Sequence, residues 1–401
     1  MGGGAPDWAG DWDVVVVGGR LAGVLTAHAL APYAPRLLLL ERRRPGVRWP
    51  AAVTWDRPGN LLWAGLGLTD TVLGCGAPKV RGHVRRTLGL TVRCDYPEDD
   101  EHCYRMGASR EVLDAALAAR AASHPNVRLL QPATAAGVLT DGGRVTGVRV
   151  VHDGVQADVR ASLVVFADGR ASRHVDAVGA AAHTVVRSAW TTWVASFRDL
   201  SLPADRIWYT RLPGSLLVTT PTGPGEWCVA AALHGDLVRA RGGHPVRRYR
   251  EVAAADPLVG PELGAALTEG RGGGRVVGAV AVPMHVRPMT GPGWCLVGDS
   301  GVHLDPMTGR GAHAVLTTVT LLRDRVRDLG GISASAADYA GLGPRRDALL
   351  RHDWNRARRA IAAYQPGPTS MERALRLAAD EEALRAHVRA RMGLGTWSYA
   401  L

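Results

Sequence analysis

The chain is 401 residues long, 46 % hydrophobic and 21 % charged, a balance that fits a folded chain of two or three domains and excludes a disordered or fibrous one. Its formal net charge is +11, but Lys79 is the only lysine and the arginines are spread along the chain; this argues against a nucleic-acid-binding face and leaves an anionic cofactor or substrate as the electrostatic partner. Five cysteines without Cys-x-x-Cys spacing speak for reduced thiols, and no apolar run approaches the roughly 20 residues that span a bilayer, so a cytoplasmic protein with no metal and no transmembrane segment is expected.

In chain order, Met1 to Asp11 lacks the basic and apolar regions of a signal peptide and reads as a loose tail. The first anchor of the fold is the stretch from Asp13 to Arg42. Val14 to Val17 suit a buried parallel strand, Gly18 and Gly19 permit a tight turn, and Gly23 lets the next helix lie close to that strand. A second apolar run, Leu37 to Leu40, ends in Glu41, near the spacing at which a carboxylate accepts hydrogen bonds from an adenosine ribose. Arg20 stands where the middle glycine of Gly-x-Gly-x-x-Gly would admit a pyrophosphate, but the surrounding strand, helix, strand and acid still describe a dinucleotide site.

After irregular sequence punctuated by Pro45, Gly46, Pro50 and Pro58, helical spacing resumes from Leu61 to Leu73, and Val84 to Val92 reads as a strand. Ser109 is placed to cap a helix running to about Ser123. Val127 to Leu130, Gly147 to His152 and Val155 to Val159 read as strands, the last two joined by an Asp153-Gly154 hairpin turn. Ser162 to Phe166 is a further buried strand ending at Asp168-Gly169. From Val185 to about Val282 come strand-like patches at Trp190 to Phe197, Arg206 to Arg211, Leu216 to Thr220 and Trp227 to Leu233. Individually, Trp190, Trp193, Trp208 and Trp227 fit core packing; together they suit a flat apolar ligand.

A second anchor begins at Gly293. A strand, Trp294 to Val297, delivers Gly298-Asp299, a loop passes Asp305-Pro306, and Gly309-Arg310-Gly311 leads into an apolar helix whose unpaired N–H groups would stabilise an anion or an electron-rich ring edge. His303 and His285 are the candidate acid/base groups, since histidine titrates near neutral pH; His28 and His313 read as structural. From Gly330 onward the chain reads as helical, broken by Pro366 and Pro368, with a capping box from Thr369 to Glu372 before Leu375, Leu384 and Val388.

The Gly18 to Gly23 turn, the Arg110/Asp114 helix start, Ala167-Asp168-Gly169, and Gly298-Asp299 followed by Asp305-Pro306 and Gly309-x-Gly311 occur in the order and spacing of one family. The chain resembles the FAD-dependent monooxygenases of the p-hydroxybenzoate hydroxylase fold, over most of its length. The resemblance implies an α/β fold: a Rossmann-like FAD-binding domain (1–80, 106–182 and 284–330), an inserted, mostly antiparallel β-sheet substrate domain (81–105 and 183–283), and a C-terminal helical region (331–401). It implies that Gly18, Gly19 and Gly23 hold the FAD pyrophosphate with the Arg20 guanidinium over it, that Arg110 contacts the FAD from its helix, and that Asp168 and Gly169 sit near the pyrophosphate. Glu41 and Arg42 then meet the adenosine ribose, Gly298 and Asp299 the ribityl chain, and Pro306 with the amides of Gly309, Arg310 and Gly311 the flavin ring.

NAD(P)H and molecular oxygen are the implied co-substrates, and hydroxylation or epoxidation of a hydrophobic aromatic or polyketide-like metabolite in secondary metabolism the implied reaction, by a monomer or homodimer. An alkene reductase of the geranylgeranyl reductase type and an FAD-containing non-redox cyclase stay open as alternatives. A halogenase is disfavoured, because Trp190-Thr-Thr-Trp193 has the wrong spacing for the Trp-x-Trp-x-Ile-Pro signature.

Overall fold

The computed structural model describes residues 6–44, 51–87, 89–241, 244–362 and, beyond these, 379, 380, 382, 383, 386 and 389. The breaks expected at Pro45, Gly46, Pro50, Pro366 and Pro368, the capping box at Thr369 to Glu372 and the helix carrying Leu375, Leu384 and Val388 lie outside the described residues.

β1 (Gly10–Val17), α1 (Leu21–Leu30) and β2 (Leu37–Leu40) form the opening unit, with Val14 to Val17 paired in parallel to Leu37 to Leu40. These paired stretches are apolar at every position because the sheet is covered on both faces there. Val14 and Val16 pack with α1, while Val15 and Val17 join Phe166 and Trp294 in a separate core on the other side. β3 (Ala52–Trp55) follows, and the helical spacing beyond it resolves into α2 (Arg57–Gly65) and α3 (Thr69–Leu73). The expected strand Val84 to Val92 is instead a hairpin, β4 (Gly82–Thr87) and β5 (Leu90–Asp95), because the chain reverses at Gly89, where φ is +89°.

β6 (Met106–Ser109) pairs with β3 and runs into α4 (Arg110–Ala122), with Ser109 at the N-cap as expected but making no side-chain cap. β7 (Val127–Leu130) joins β2. β8 (Ala133–Asp141), β9 (Arg144–His152) and β10 (Val155–Phe166) form a meander, turned at Asp153 and Gly154, both at positive φ as the hairpin requires. The two strands expected at 155–159 and 162–166 are one: β10 pairs with β9 along its first half and with β1 from Val159 onward.

After α5 (His174–Ala177) come β11 (Thr184–Val186), β12 (Trp190–Arg198), β13 (Arg206–Leu212), β14 (Ser215–Gly223) and β15 (Glu226–His234). The helices α6 (Gly235–Arg241), α7 (Pro245–Ala254) and α8 (Gly260–Thr268) lead to β16 (Val277–Val280). The chain then returns through β17 (Met284–Val286), β18 (Thr290–Gly291), β19 (Trp294–Leu296) and β20 (Val302–His303) to α9 (Gly311–Asp328) and α10 (Leu342–Ala362).

Two large sheets result. One has the order β18-β19-β10-β1-β2-β7, with β9 and β8 attached to β10; the other is seven-stranded, β16-β12-β15-β14-β13-β4-β5, antiparallel except where β13 meets β4. The second sheet buries one face under α7 and α8, around Phe197, Tyr249 and Leu263. Its opposite face, carrying Trp190 and Ala232, packs against β20, α9 and α10 through Val302, Ala314, Leu350 and Ile361.

Candidate active site

The carboxyl ends of β1, β2 and β10 and the start of α1 meet the β20–α9 loop and the start of α4 around a cavity of about 420 Å³, the place where open parallel sheets bind ligands. Gly18 leaves β1 at φ +108°, and a Cβ at Gly23 would lie 1.6 Å from the Gly18 carbonyl oxygen, so helix and strand approach more closely than any side chain permits. Arg20 opens into the cavity with its Nε 3.6 Å from Asp114 Oδ2, the same oxygen that accepts Nε and Nη2 of Arg110 at 3.2 and 2.8 Å. Burial, reinforced by the Arg110 charge, lowers the Arg20 pKa to about 10. Excess positive charge at a helix N-terminus suits a diphosphate.

Glu41 is buried; its two oxygens accept the Gly19 and Arg43 N–H groups, both at 2.8 Å, and each keeps a lone pair for a ribose hydroxyl. Asp168 Oδ2 stands 2.8 Å from His174 Nδ1, while His174 Nε2 faces the Ala135 carbonyl at 3.2 Å and its ring stacks on Phe166. Asp168 Oδ1 is buried at the cavity with no hydrogen-bond partner among the described residues.

On the second loop, Gly298 takes φ +72° and Asp299 lines the cavity. Burial works to raise the Asp299 carboxyl, but neighbouring His303 and the charges of Arg110 and Arg170 outweigh it and hold the group below the usual carboxylate range. His303 is 3 % exposed and also lines the cavity; its Nδ1 is 3.3 Å from Asp299 Oδ2 without the alignment of a hydrogen bond, and neither ring nitrogen has a hydrogen-bond partner among the described residues. Asp305 takes the Ser188 hydroxyl at 2.6 Å and caps the turn through the Met307 N–H at 2.9 Å, and Pro306, Gly309 (φ +63°) and Gly311 line the cavity beyond it.

Several expected site residues stand elsewhere. Gly19, Gly23 and Gly298 shape the walls from behind. His285 does not line the cavity: its Nε2 lies 2.5 Å from Arg287 Nη1 and 2.9 Å from the Asp299 carbonyl, and burial with the Arg287 charge pushes its pKa down to about 4, so it is neutral and already engaged. The Arg310 guanidinium is buried away from the cavity against Asp56 and Asp353, which leaves only its backbone amide for a cofactor. Trp193, Trp208 and Trp227 correct the expected aromatic ligand surface: register places all three on the face covered by α7 and α8, within or against the Phe197–Tyr249 core. Trp190, an odd number of residues before Trp193, lies on the opposite face, where its Nε1 donates to the Ile361 carbonyl at 2.9 Å and Arg211 stacks 4.7 Å from its ring centre. Arg43, Thr54, Arg173 and His174 also line the cavity with no local sequence signal to announce it, since only the fold brings them there.

A parallel sheet with a glycine turn at one strand end, and a second loop running into a helix N-terminus across the cavity, is the frame of an FAD-binding flavoprotein. The sequence profile of the family described as FAD binding domain matches residues 11–225, more than half of the chain, and the chain belongs to that family and has the p-hydroxybenzoate hydroxylase fold. Similar proteins include squalene monooxygenase SE2 of Panax ginseng, 25 % identical over 81 % of this chain and 59 % of that protein, so the chain spans about three fifths of its length. The digeranylgeranylglycerophospholipid reductase of Thermoplasma volcanium is 27 % identical over 76 % of each chain. Among solved structures, p-nitrophenol 4-monooxygenase PnpA from Pseudomonas putida DLL-E4 shares the fold, with a TM-score of 0.77 at 20 % identity over 96 % of this chain and 98 % of that one. Among the described residues no helix is long and apolar enough to cross a membrane, and no cluster of metal-ligating side chains occurs.

Proposed function

We propose that the protein is an NAD(P)H-dependent monooxygenase that inserts one oxygen atom into a hydrophobic aromatic or polyketide-like small molecule, by hydroxylation or epoxidation. One atom of molecular oxygen enters the product and the other leaves as water, with NAD(P)H supplying the two electrons; FAD supplies the redox and oxygen chemistry. The observation that carries the reading is the pairing of a charged, diphosphate-suited end of the cavity with a neutral loop end at Pro306 to Gly311.

The residues fit FAD. Asp168 Oδ1 and both ring nitrogens of His303 are buried at the cavity without hydrogen-bond partners among the described residues, and a side chain would find open space at Gly169 and Gly311. The α1 N-terminus with Arg20 and Arg110 would hold the diphosphate, Glu41 with Arg42 the adenosine ribose, Asp299 the ribityl chain, and the amides of Gly309 to Gly311 the ring edge, where they stabilise negative charge. His303 is the group available to hold or pass a proton.

A second reading, reduction of an alkene, is favoured by the likeness to the Thermoplasma volcanium reductase. Anaerobic titration of the purified protein with NADH and NADPH, then admission of oxygen in the presence of candidate substrates, separates the cases. Flavin bleaching with a product heavier by one oxygen supports the monooxygenase. A product heavier by two hydrogens supports the reductase, and bound flavin that neither nucleotide bleaches supports the non-redox cyclase.

A further inference from the structure

The loop that faces the cavity is held from behind by buried charges from three separate segments. Arg310 lies between Gly309 and Gly311, which line the cavity, but its own side chain does not. Its Nη1 is 2.9 Å from Asp56 Oδ2 and 3.1 Å from Oδ1, and its Nε is 3.4 Å from Asp353 Oδ1. Asp56 follows β3 and is the N-cap of α2; Asp353 sits in the middle of α10. The second Asp353 oxygen is 2.6 Å from His313 Nδ1, one turn into α9 from Arg310.

Half-buried Arg105 adds a positive charge that acts on Asp56, and it donates to the Tyr209 hydroxyl at 2.6 Å. Burial alone would raise both carboxyls. The charges of Arg310 and Arg105 hold Asp56 low, and the His313 hydrogen bond with Arg310 brings Asp353 to about 2, so both are ionised.

The Asp353 contact is an ion pair without the alignment of a hydrogen bond, and a guanidinium removed from water keeps its place only while its carboxylates stay charged beside it. Asp305 and the Gly309 N–H bond to the Pro306 carbonyl define the first half of the loop; Arg310 fixes the half that runs into α9, where Gly309 is in the left-handed region and a side chain at Gly311 would meet nothing within 4 Å. We propose that Asp353 is a positioning residue for the cofactor: acting through Arg310, it sets where the Gly309 to Gly311 amides stand against the flavin ring. The inference rests on the assignment of that loop to flavin. It makes α10, far beyond the matched segment 11–225, part of the cofactor site.

The test titrates the full-length apoprotein with FAD, following fluorescence quenching and the visible absorption of the bound flavin. Asp353→Asn should weaken FAD by about tenfold or more, as loss of an outer partner that orients a binding group does, and shift the visible band, whereas Asp353→Glu restores both. In an Arg310→Met background, Asp353→Asn should change nothing further. Asp56→Asn attacks the same guanidinium without touching α10; it should reproduce the shift, and it carries the test if Asp353→Asn does not fold. Wild-type affinity and spectrum in either folded variant overturn the proposal. So do equal losses with and without Arg310, because Asp353 would then act through helix packing alone. A wild-type chain that takes up no FAD would instead overturn the assignment of the loop.

Discussion

At Asp299 and His303, adjacent in space and four residues apart in sequence, burial and charge assign different work. Asp299 is ionised and faces the cavity, so Asp299→Ala should lose the cofactor; a purified variant with full flavin absorbance would overturn its placement. His303→Gln keeps a polar group of similar reach but cannot carry a proton, and turnover should fall by roughly 100-fold at unchanged flavin content if the ring serves as acid or base. His285 makes a different prediction, through stability. Its folded pKa is near 4 while the unfolded value is about 6.5, so between these the unfolded chain binds a proton that the folded chain refuses. Stability is therefore full above pH 6.5 and falls as pH drops, approaching a loss of roughly 3 kcal/mol by pH 4. Urea midpoints measured from pH 7 to 4 should show this slope, and His285→Gln should flatten it. The sequence offers both histidines as acid/base candidates; it cannot separate them, because burial and the Arg287 contact come from the fold.

Among the elements, the period-two alternation of strands decides the fate of the tryptophans. Trp193 and Trp227 are buried with Phe197 and Tyr249 beneath α7 and α8. Trp227→Ala should cost about 3–5 kcal/mol in denaturant unfolding, as large-to-small core changes do, and leave substrate KM unchanged in whatever folds. A selective rise in KM would return that residue to the ligand surface. The strand runs themselves were legible from β-branched and aromatic content, as β7 and β12 to β15 illustrate. Which face each strand presents was not, because that depends on the register with neighbours far away in sequence. The continuity of β10 was hidden for a related reason: its first half is half-covered and its second half covered on both faces, so one strand shows two patterns.

Across the whole molecule, the cavity is closed by chain segments from Val17 to Val315, so the cofactor should act as a staple between them. FAD added to the apoprotein at about 100 times its Kd should stabilise the fold by roughly 2.7 kcal/mol, read as an upward shift in Tm, with no shift in Asp299→Ala. The basic character of the chain is also resolved at this scale. Arg20, Arg42, Arg43, Arg110 and Arg173 gather at one cavity, whereas other arginines form dispersed ion pairs such as Arg149 with Asp158.

The sequence by itself determined the opening dinucleotide unit, the family and the cofactor, because these depend on local requirements: glycines where the backbone must turn or approach closely, an acid at a strand tip, glycines before a helix. Tertiary structure alone decided that Arg310 anchors a loop from behind, that His303 and not His285 reaches the cavity, and that Trp190 parts company with the other tryptophans. Those outcomes depend on which distant segments share a desolvated space, where a charge must find its partner and a strand has only two faces to offer.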